Sequence, residues 1–336
     1  KAITHFVHSV HGQGFGLRVN RTGMFELGVF PGMYTVAAAG VGGGSTAYGA
    51  LLVKPPNAAM WQGCHPALEP ADIERYYDKV IGDLGGVHVS RDHSQPQTVW
   101  DHFPDSGISR CRPAEKQPRV AMLMPPTAAQ AGQAVTDSAG IERRYCAFDG
   151  DGFLGSRGGA KASVDFVYLA PVLGKGVTVR ALCEVSGIRR ASTAAGPGYV
   201  VEFRDLERGT SEAVTAPQVV MAAGTLNTLR LLFASSISTA GLAAMPALGR
   251  GYFGNGDLIA AWVKPSVSVA SFRAAPVLGA ISVPGHEHKP VELGSLSGFD
   301  TLPLPGFVKR HLSRVFMIYV MAADSGKATV RFVNGR

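Results

Sequence analysis

Residues 39–51 have the sequence AGVGGGSTAYGAL, in which four of the five residues 40–44 are glycine. Four glycines and a serine fall within residues 40–45, so the backbone there carries few Cβ atoms. Successive amide groups of such a backbone can approach a bound anion or a flat ring closely. The stretch therefore predicts a dinucleotide-binding loop, and an ordinary glycine-rich turn is the alternative that this stretch alone leaves open.

The bulk composition is that of a folded protein with more than one domain. The chain has 336 residues, beyond the size at which one hydrophobic core usually keeps growing, so two interlocked domains are expected. Hydrophobic residues make up 46% and charged residues 17%, which argues against disorder. No apolar run is long enough to cross a bilayer, and residues 315–323 predict a buried strand.

The charge pattern argues against nucleic acid as a partner. The formal net charge is +7, but the basic residues are scattered in small groups without interleaved aromatic residues. No recognisable nucleic-acid module accompanies them, so the basic groups predict a solvated surface.

Neither the cysteines nor the acidic motifs predict a metal site. The four cysteines are too widely spaced for a zinc site or a dense disulfide framework, and free thiols favour a reducing, cytoplasmic compartment. No targeting signal opens the visible chain. Residues 149–152 begin like a calcium loop, but Phe153 takes the third ligand position. His286 and His288 lack a visible third ligand and are read as loop residues.

Hydrophobic periodicity predicts a few defined elements. Residues 69–82 predict a helix, residues 12–16 a turn and residues 85–118 an extended surface segment. Short β-branched runs predict strands at 176–182, 185–188 and 199–203. Residues 217–224 predict a buried strand that ends in a glycine, and a helix is expected over 227–233. That order is the one found in nucleotide-binding units. The short strands after Pro265 suit an antiparallel sheet.

Four segments, taken together and in order, resemble the glucose-methanol-choline (GMC) oxidoreductases, and more narrowly their cholesterol-oxidase-like branch. The second of these segments, residues 159–169, combines the motif Gly159-Ala160-Lys161 with Asp165 and Tyr168-Leu169. The four lie at residues 40–45, 159–169, 221–226 and 249–257. The resemblance implies an incomplete α/β FAD-binding (Rossmann-like) domain with an α+β substrate domain built on a mainly antiparallel sheet. We expect a flavin-contacting segment over 1–60, a substrate-domain excursion over 61–158, an FAD-domain segment over 159–258 and a substrate-domain sheet over 259–336.

The resemblance also implies which residues would touch non-covalently bound FAD. Members of the family often have asparagine at the position of Tyr48, so the surface offered to substrate is expected to differ here. Val185 matches the position that holds adenine through its backbone, and a core strand residue is the alternative reading. A tight turn is the alternative for Asn255-Gly256. The full set of expected cofactor contacts is Gly40, Gly42, Gly43, Gly44, Ser45, Tyr48, Gly49, Val185, Ala223, Gly224, Asn255, Gly256 and Asp257.

The implied activity is oxidation of a CH–OH group in a sterol or another bulky apolar alcohol, with hydride transfer to flavin N5. In this branch a glutamate of the substrate domain assists proton transfer, and Glu292 lies at a suitable distance after Asn255. A surface ion pair with Lys289 is the alternative for that glutamate. A sugar or small-alcohol oxidoreductase and a non-catalytic remnant that binds an apolar ligand or a partner remain open alternatives. Oxygen and other electron acceptors are likewise not distinguished by the sequence.

Two family segments have no counterpart in the chain. The G-x-G-x-x-G strand should precede the glycine-rich loop by many tens of residues, and the segment with the catalytic histidine should follow residue 336. The resemblance therefore implies a chain truncated at both ends and leaves activity uncertain.

Overall fold

The fold is described from a computed structural model. It covers residues 5–54, 61, 63, 66–88, 94–95, 119–138, 140–148, 152, 155–194, 196–237, 242–243, 245–254, 256–263, 273–274, 277–281, 291–294, 304–312, 315–320 and 328–333. The chain divides into two compact units. Unit 1 contains residues 1–44, 176–254 and 324–336, and unit 2 contains residues 45–175 and 255–323. The segment boundaries expected from the sequence remain predictions.

The described elements are mostly short strands. The helices are α1 (Pro70–Asp83), α2 (Thr225–Ser236) and α3 (Gly306–Leu312). The strands, numbered β1 to β20 in chain order, are Val7–Gly12, Phe15–Arg18, Phe25–Phe30, Met33–Ala38, Leu51–Leu52, Val87–His88, Ser94–Gln95, Arg119–Val120, Ala134–Thr136, Glu142–Arg144, Cys183–Thr193, Gly196–Asp205, Ser211–Ala216, Arg250–Tyr252, Leu258–Val263, Arg273–Ala274, Val277–Ile281, Val291–Gly294, Val315–Val320 and Ala328–Thr329.

Unit 1 begins with a mixed sheet of strand order β2-β1-β3-β4. Strands β1 and β2 form an antiparallel hairpin in which Gly12 pairs with Phe15. The predicted turn at residues 12–16 is confirmed, and Gly14 supplies the positive φ of 79° that such a tight connection needs. Strand β1 runs parallel to β3, and β3 pairs antiparallel with β4.

A second sheet of unit 1 is the antiparallel meander β11-β12-β13, against which α2 packs. Ile188, Val200, Phe203 and Leu231 are its buried apolar residues. The backbone N–H of Ile188 donates to Ser235 Oγ at 3.1 Å, which ties the open edge of β11 to the helix. Apolar burial and this polar contact together hold α2 against the sheet.

The core of unit 2 collects segments that are far apart in sequence. Its buried residues are Ala50, Val120, Ala121, Met122, Cys146, Phe148, Ala160 and Ala162. The unit also contains short sheets, in the strand orders β5-β8-β6, β10-β9 and β16-β7. Residues 255–323 contribute the antiparallel sheet β15-β19-β18-β17, as expected for this part of the chain.

Both predicted helices are confirmed. The helix expected over 69–82 is α1, which starts with Pro70 at its first position and is followed by Gly85 at φ 63°. The helix expected over 227–233 is α2, and part of the strand expected over 315–323 is β19. The predicted strands at 185–188 and 199–203 lie within β11 and β12.

Two strand predictions are wrong. Residues 217–224 form no strand, and Val220 is 89% exposed. Strand β13 ends at Ala216 because Pro217 has no N–H to donate to a ladder. Residues 176–182 also lie outside the strands, since β11 starts only at Cys183. Most of the segment expected over 85–118 lies outside the described residues.

Candidate functional site

A groove of about 530 Å³ lies in unit 1 at the start of α2. It is lined by the residues before and in the first turns of the helix and by the strand β14 region. We call it the α2 groove, and its lining residues are Met221, Ala222, Gly224, Thr225, Thr228, Leu229, Gly249, Arg250, Gly251 and Tyr252.

The electrostatics of the α2 groove favour an anion. Gly224 is the N-cap of α2, with φ 73°, and it has no side chain that could cap the helix. The first N–H groups of a helix project outward from its N-terminal end and carry a partial positive charge. Arg250 is the charged residue among those that line the groove. A helix N-terminus and a guanidinium group thus line the same groove.

The shape of the groove depends on Gly249. Its φ is 80°, and a Cβ at this position would meet Val330 O at 2.2 Å and Phe233 Cζ at 2.9 Å. The N–H of Val330 donates to Gly249 O at 2.8 Å, and Arg250 pairs with Thr329 across β14 and β20. Glycine is therefore required at position 249 for the close approach of β14 and β20. Arg250 lies on β14, so this approach also determines where Arg250 lies.

A polar network anchors the first turn of α2 to the mixed sheet. Asn227 Nδ2 donates to Glu26 Oε2 at 2.7 Å, and Glu26 Oε1 lies 3.2 Å from His8 Nδ1. His8, a member of this network, and the neighbouring Ser9 are buried. This network holds the start of the helix in register with β3.

The glycine-rich loop forms a 3₁₀ turn over Gly43–Thr46, and the boundary between the two units falls between Gly44 and Ser45. Gly42 and Gly43 have φ values of 96° and 55°, which favour glycine. A Cβ on Gly44 would meet nothing within 4 Å, and its φ is not positive. Neither packing nor backbone conformation therefore explains a glycine at position 44.

Unit 2 contains a buried lysine beside this loop. Lys161 is 1% exposed, and its Nζ donates to Thr46 O at 2.7 Å, to Tyr48 O at 2.9 Å and to Gly152 O. The Nζ also lies 5.2 Å from the centre of the Tyr48 ring. We call Ser45, Thr46, Tyr48, Gly152, Lys161, Ala162 and Val164 the Lys161 cluster.

Two further hydrogen bonds join the same two segments of the Lys161 cluster. Tyr48 Oη donates to Ala162 O at 2.8 Å, and the N–H of Val164 donates to Ser45 Oγ at 3.0 Å. Burial raises the pKa of Tyr48 to about 12, although Arg143 opposes the rise. The phenol therefore stays protonated at neutral pH and acts as a hydrogen-bond donor to the backbone.

The backbone that carries Lys161 is held from its other side by Arg143. This buried guanidinium donates to Gly159 O at 2.7 Å and to Ala160 O at 3.4 Å, and it lies 3.5 Å from Asp137. Gly159 has φ 68°, and a Cβ there would meet the Phe166 ring at 2.9 Å. In the Gly-Ala-Lys motif, Gly159 is therefore required because a side chain would clash with Phe166, Ala160 is buried in the core, and Lys161 is a buried hydrogen-bond donor.

The expected site residues are divided between the two units. Gly40, Gly42, Gly43, Gly44, Val185, Ala223 and Gly224 belong to unit 1, and Ser45, Tyr48, Gly49, Gly256, Asp257 and Glu292 belong to unit 2. Gly224 lies in the α2 groove, and Ser45 and Tyr48 lie in the Lys161 cluster. Asn255 is outside the described residues.

The remaining expected residues keep their predicted roles as hypotheses. Val185 lies on β11, an edge strand of its sheet, where it pairs with Phe203. Gly256 has φ 61°, as a tight turn requires, and Asp257 directly precedes β15. Glu292 lies on β18, an inner strand, opposite Tyr319 and Ala280.

Sequence reasoning did not single out Thr228 or Arg250 as site residues, nor the buried position of Lys161. Arg250 lies within the fourth resembling segment and Lys161 within the second, so both motifs include the residue concerned. Across the part of the chain that the structure describes, no group of three or more His, Cys, Asp or Glu residues could hold a metal ion. The described helices also include none with the length and apolar character that a membrane span requires.

The family model of GMC oxidoreductase matches residues 30–253. The matched range contains every residue of the α2 groove and of the Lys161 cluster. No curated protein sequence is significantly similar to the chain.

Proposed function

The chain belongs to the GMC oxidoreductase family, and we propose that it is an FAD-dependent enzyme that oxidises the CH–OH group of a sterol or another bulky apolar alcohol. The family consists of FAD-dependent oxidoreductases that act on alcohols, and its N-terminal domain binds FAD. Bound FAD would supply a hydride acceptor. The residues of the chain would supply its binding site and the orientation of the substrate.

The α2 groove is the observation that carries the proposal. FAD contains a pyrophosphate, and a helix N-terminus beside an arginine is a favourable environment for such an anion. A Cβ on Gly224 would enter open space rather than protein, so the glycine leaves room at the helix start for a bound group. The amide groups of the first turn of α2 and the Arg250 guanidinium would hold the phosphates.

The glycine-rich loop is the proposed contact for the rest of the cofactor. Gly44 is a glycine without a packing or conformational requirement, which fits a backbone approached closely by a ligand. Ser45, Tyr48 and Gly49 follow it directly in the chain. The proposed contacts are non-covalent.

The substrate class rests on the order of the four segments that resemble the cholesterol-oxidase-like branch. A sugar or small-alcohol substrate is the competing assignment within the same family. The two assignments differ in a simple way, because a bulky apolar alcohol must leave water for a dry pocket whereas a sugar brings many hydroxyl groups that need partners.

The first test is the visible spectrum of the purified chain after FAD is added and the excess removed. Bound flavin should give bands at roughly 370 and 450 nm that bleach when cholesterol is added without oxygen. Bleaching by glucose or methanol instead would replace the sterol assignment with the competing one. A folded chain that stays colourless would contradict the enzyme proposal and favour a non-catalytic remnant.

Arg250→Gln tests the groove itself. We expect FAD affinity to fall about tenfold or more, because a hydrogen bond to a charged group contributes roughly 1.5 kcal/mol or more. The control is Arg204→Gln, an exposed arginine of unit 1 that does not line the groove. FAD dissociation constants are measured by flavin fluorescence. Equal values for the two variants would contradict the proposal that the pyrophosphate of FAD binds in the α2 groove.

A further inference from the structure

We propose that Lys161 is a positioning residue for cofactor binding, because its buried ammonium fixes the carbonyls of Thr46 and Tyr48 and so the shape of the loop that FAD contacts. This inference rests on the proposed function. It assigns to a side chain that does not itself touch the cofactor the task of holding residues 45–49 in their binding shape.

The first support is the chemistry of the acceptors. Thr46, Tyr48 and Gly152 each offer Lys161 Nζ a main-chain carbonyl. Two of these carbonyls belong to the same loop, 115 and 113 residues away in sequence. Through these bonds Lys161 sets the direction of the peptide groups that carry the accepting carbonyls.

The second support is the cost of the arrangement. Moving an ammonium group out of water costs several kcal/mol, and an apolar side chain of similar size is often as stabilising or more so. Lys161 is nevertheless 1% exposed and lies against the apolar core of unit 2. A buried charge in that position provides specificity of conformation, which a methionine could not provide.

The third support is the geometry of the peptide bond. A trans peptide is planar, and its C=O and N–H point in opposite directions. Because Tyr48 O faces Lys161 Nζ, the N–H of Gly49 points away from the lysine. Gly49 has no side chain to shield that amide. Lys161 therefore orients a backbone donor on the loop side opposite to itself, and the Tyr48–Ala162 and Ser45–Val164 bonds keep the two segments together.

The test compares Lys161→Met with Lys175→Met, whose lysine is exposed in the same unit. Methionine fills the volume without donating hydrogen bonds, so we expect a thermal midpoint close to wild type. FAD should nevertheless bind at least tenfold more weakly, and the vibronic structure of the 450 nm flavin band should be lost. Lys175→Met should match wild type in both measurements.

Lys161→Ala adds a rescue experiment. The substitution removes three carbons and the ammonium group, so n-propylammonium should restore FAD affinity and the flavin spectrum, whereas 1-propanol should not. Wild-type FAD affinity in Lys161→Met would overturn the inference while leaving the proposed function intact. Loss of fold in both variants would make Lys161 a structural residue and also overturn it. A wild-type chain that never retains FAD would overturn the proposed function, and the inference with it.

Discussion

The α2 groove consists mainly of exposed main chain around a helix start, whereas the Lys161 cluster is organised by one side chain that is almost fully buried. In the groove, polarity comes from amide groups and from an arginine that water can reach. In the cluster, polarity comes from a buried ammonium group that donates to main-chain carbonyls. The groove should therefore be sensitive to added atoms at its glycines, and the cluster to lost donors.

The largest effect is expected at Arg143, which supports the Lys161 cluster from behind. Arg143→Met removes two backbone hydrogen bonds and leaves Asp137 without its buried partner. Breaking a buried ion pair costs about 3–5 kcal/mol, so the free energy of unfolding should fall by about that amount. Urea unfolding followed by far-UV circular dichroism measures it.

The neighbouring Arg144 provides the matched control. It is exposed and donates to Gly132 O at 3.1 Å. Arg144→Met should cost less than about 1 kcal/mol. Similar losses for the two variants would mean that buried donors matter no more here than surface ones, and the contrast between the two regions would fail.

The second-largest effect is expected at the glycines of the α2 groove, where Gly249 and Gly224 should differ in their tolerance of a side chain. Gly249→Ala forces a Cβ to within 2.2 Å of Val330 O at a φ of 80°, and overlap plus backbone strain should cost about 3 kcal/mol. Gly224→Ala has nearly the same φ, 73°, but meets open space, so only the strain of about 1 kcal/mol should remain. Thermal and urea unfolding of the two variants checks the difference. Equal losses of unfolding free energy would show that the positive φ, and not the overlap with Val330 O, determines the cost of both substitutions.

The two regions also differ in how far the sequence could predict them. The helices were predictable because Pro70, Gly85 and Gly224 are local signals that act within one turn. The strand expected over 217–224 does not form, because Pro217 cannot continue the ladder and Val220 in the apolar run faces solvent.

The candidate site could be predicted in part, because its motifs are local but its contacts are not. Gly224 and Arg250 line the same groove only because α2 packs on β11 and β14 pairs with β20. Lys161 meets Tyr48 across 113 residues of sequence, through the core that surrounds Ala50 and Ala160. Loop closure over such distances leaves no periodic signal in the sequence.

The smallest effect is expected at Tyr48, and it depends on pH. Tyr48→Phe removes the hydrogen bond to Ala162 O and should cost about 1 kcal/mol below pH 10. Because burial raises the folded pKa to about 12 from 10.0, the unfolded phenol ionises first, and this contribution is lost as pH rises from 10 towards 12. The stability advantage of wild type over Tyr48→Phe should therefore shrink and then reverse in that window.

Urea unfolding at a series of pH values measures this advantage. Tyr34→Phe, at an 81% exposed position in unit 1, is the control for loss of a surface phenol. An advantage that stays constant to pH 12 would mean that Tyr48 is as accessible as the residues of the groove, and the comparison would lose its clearest polar example.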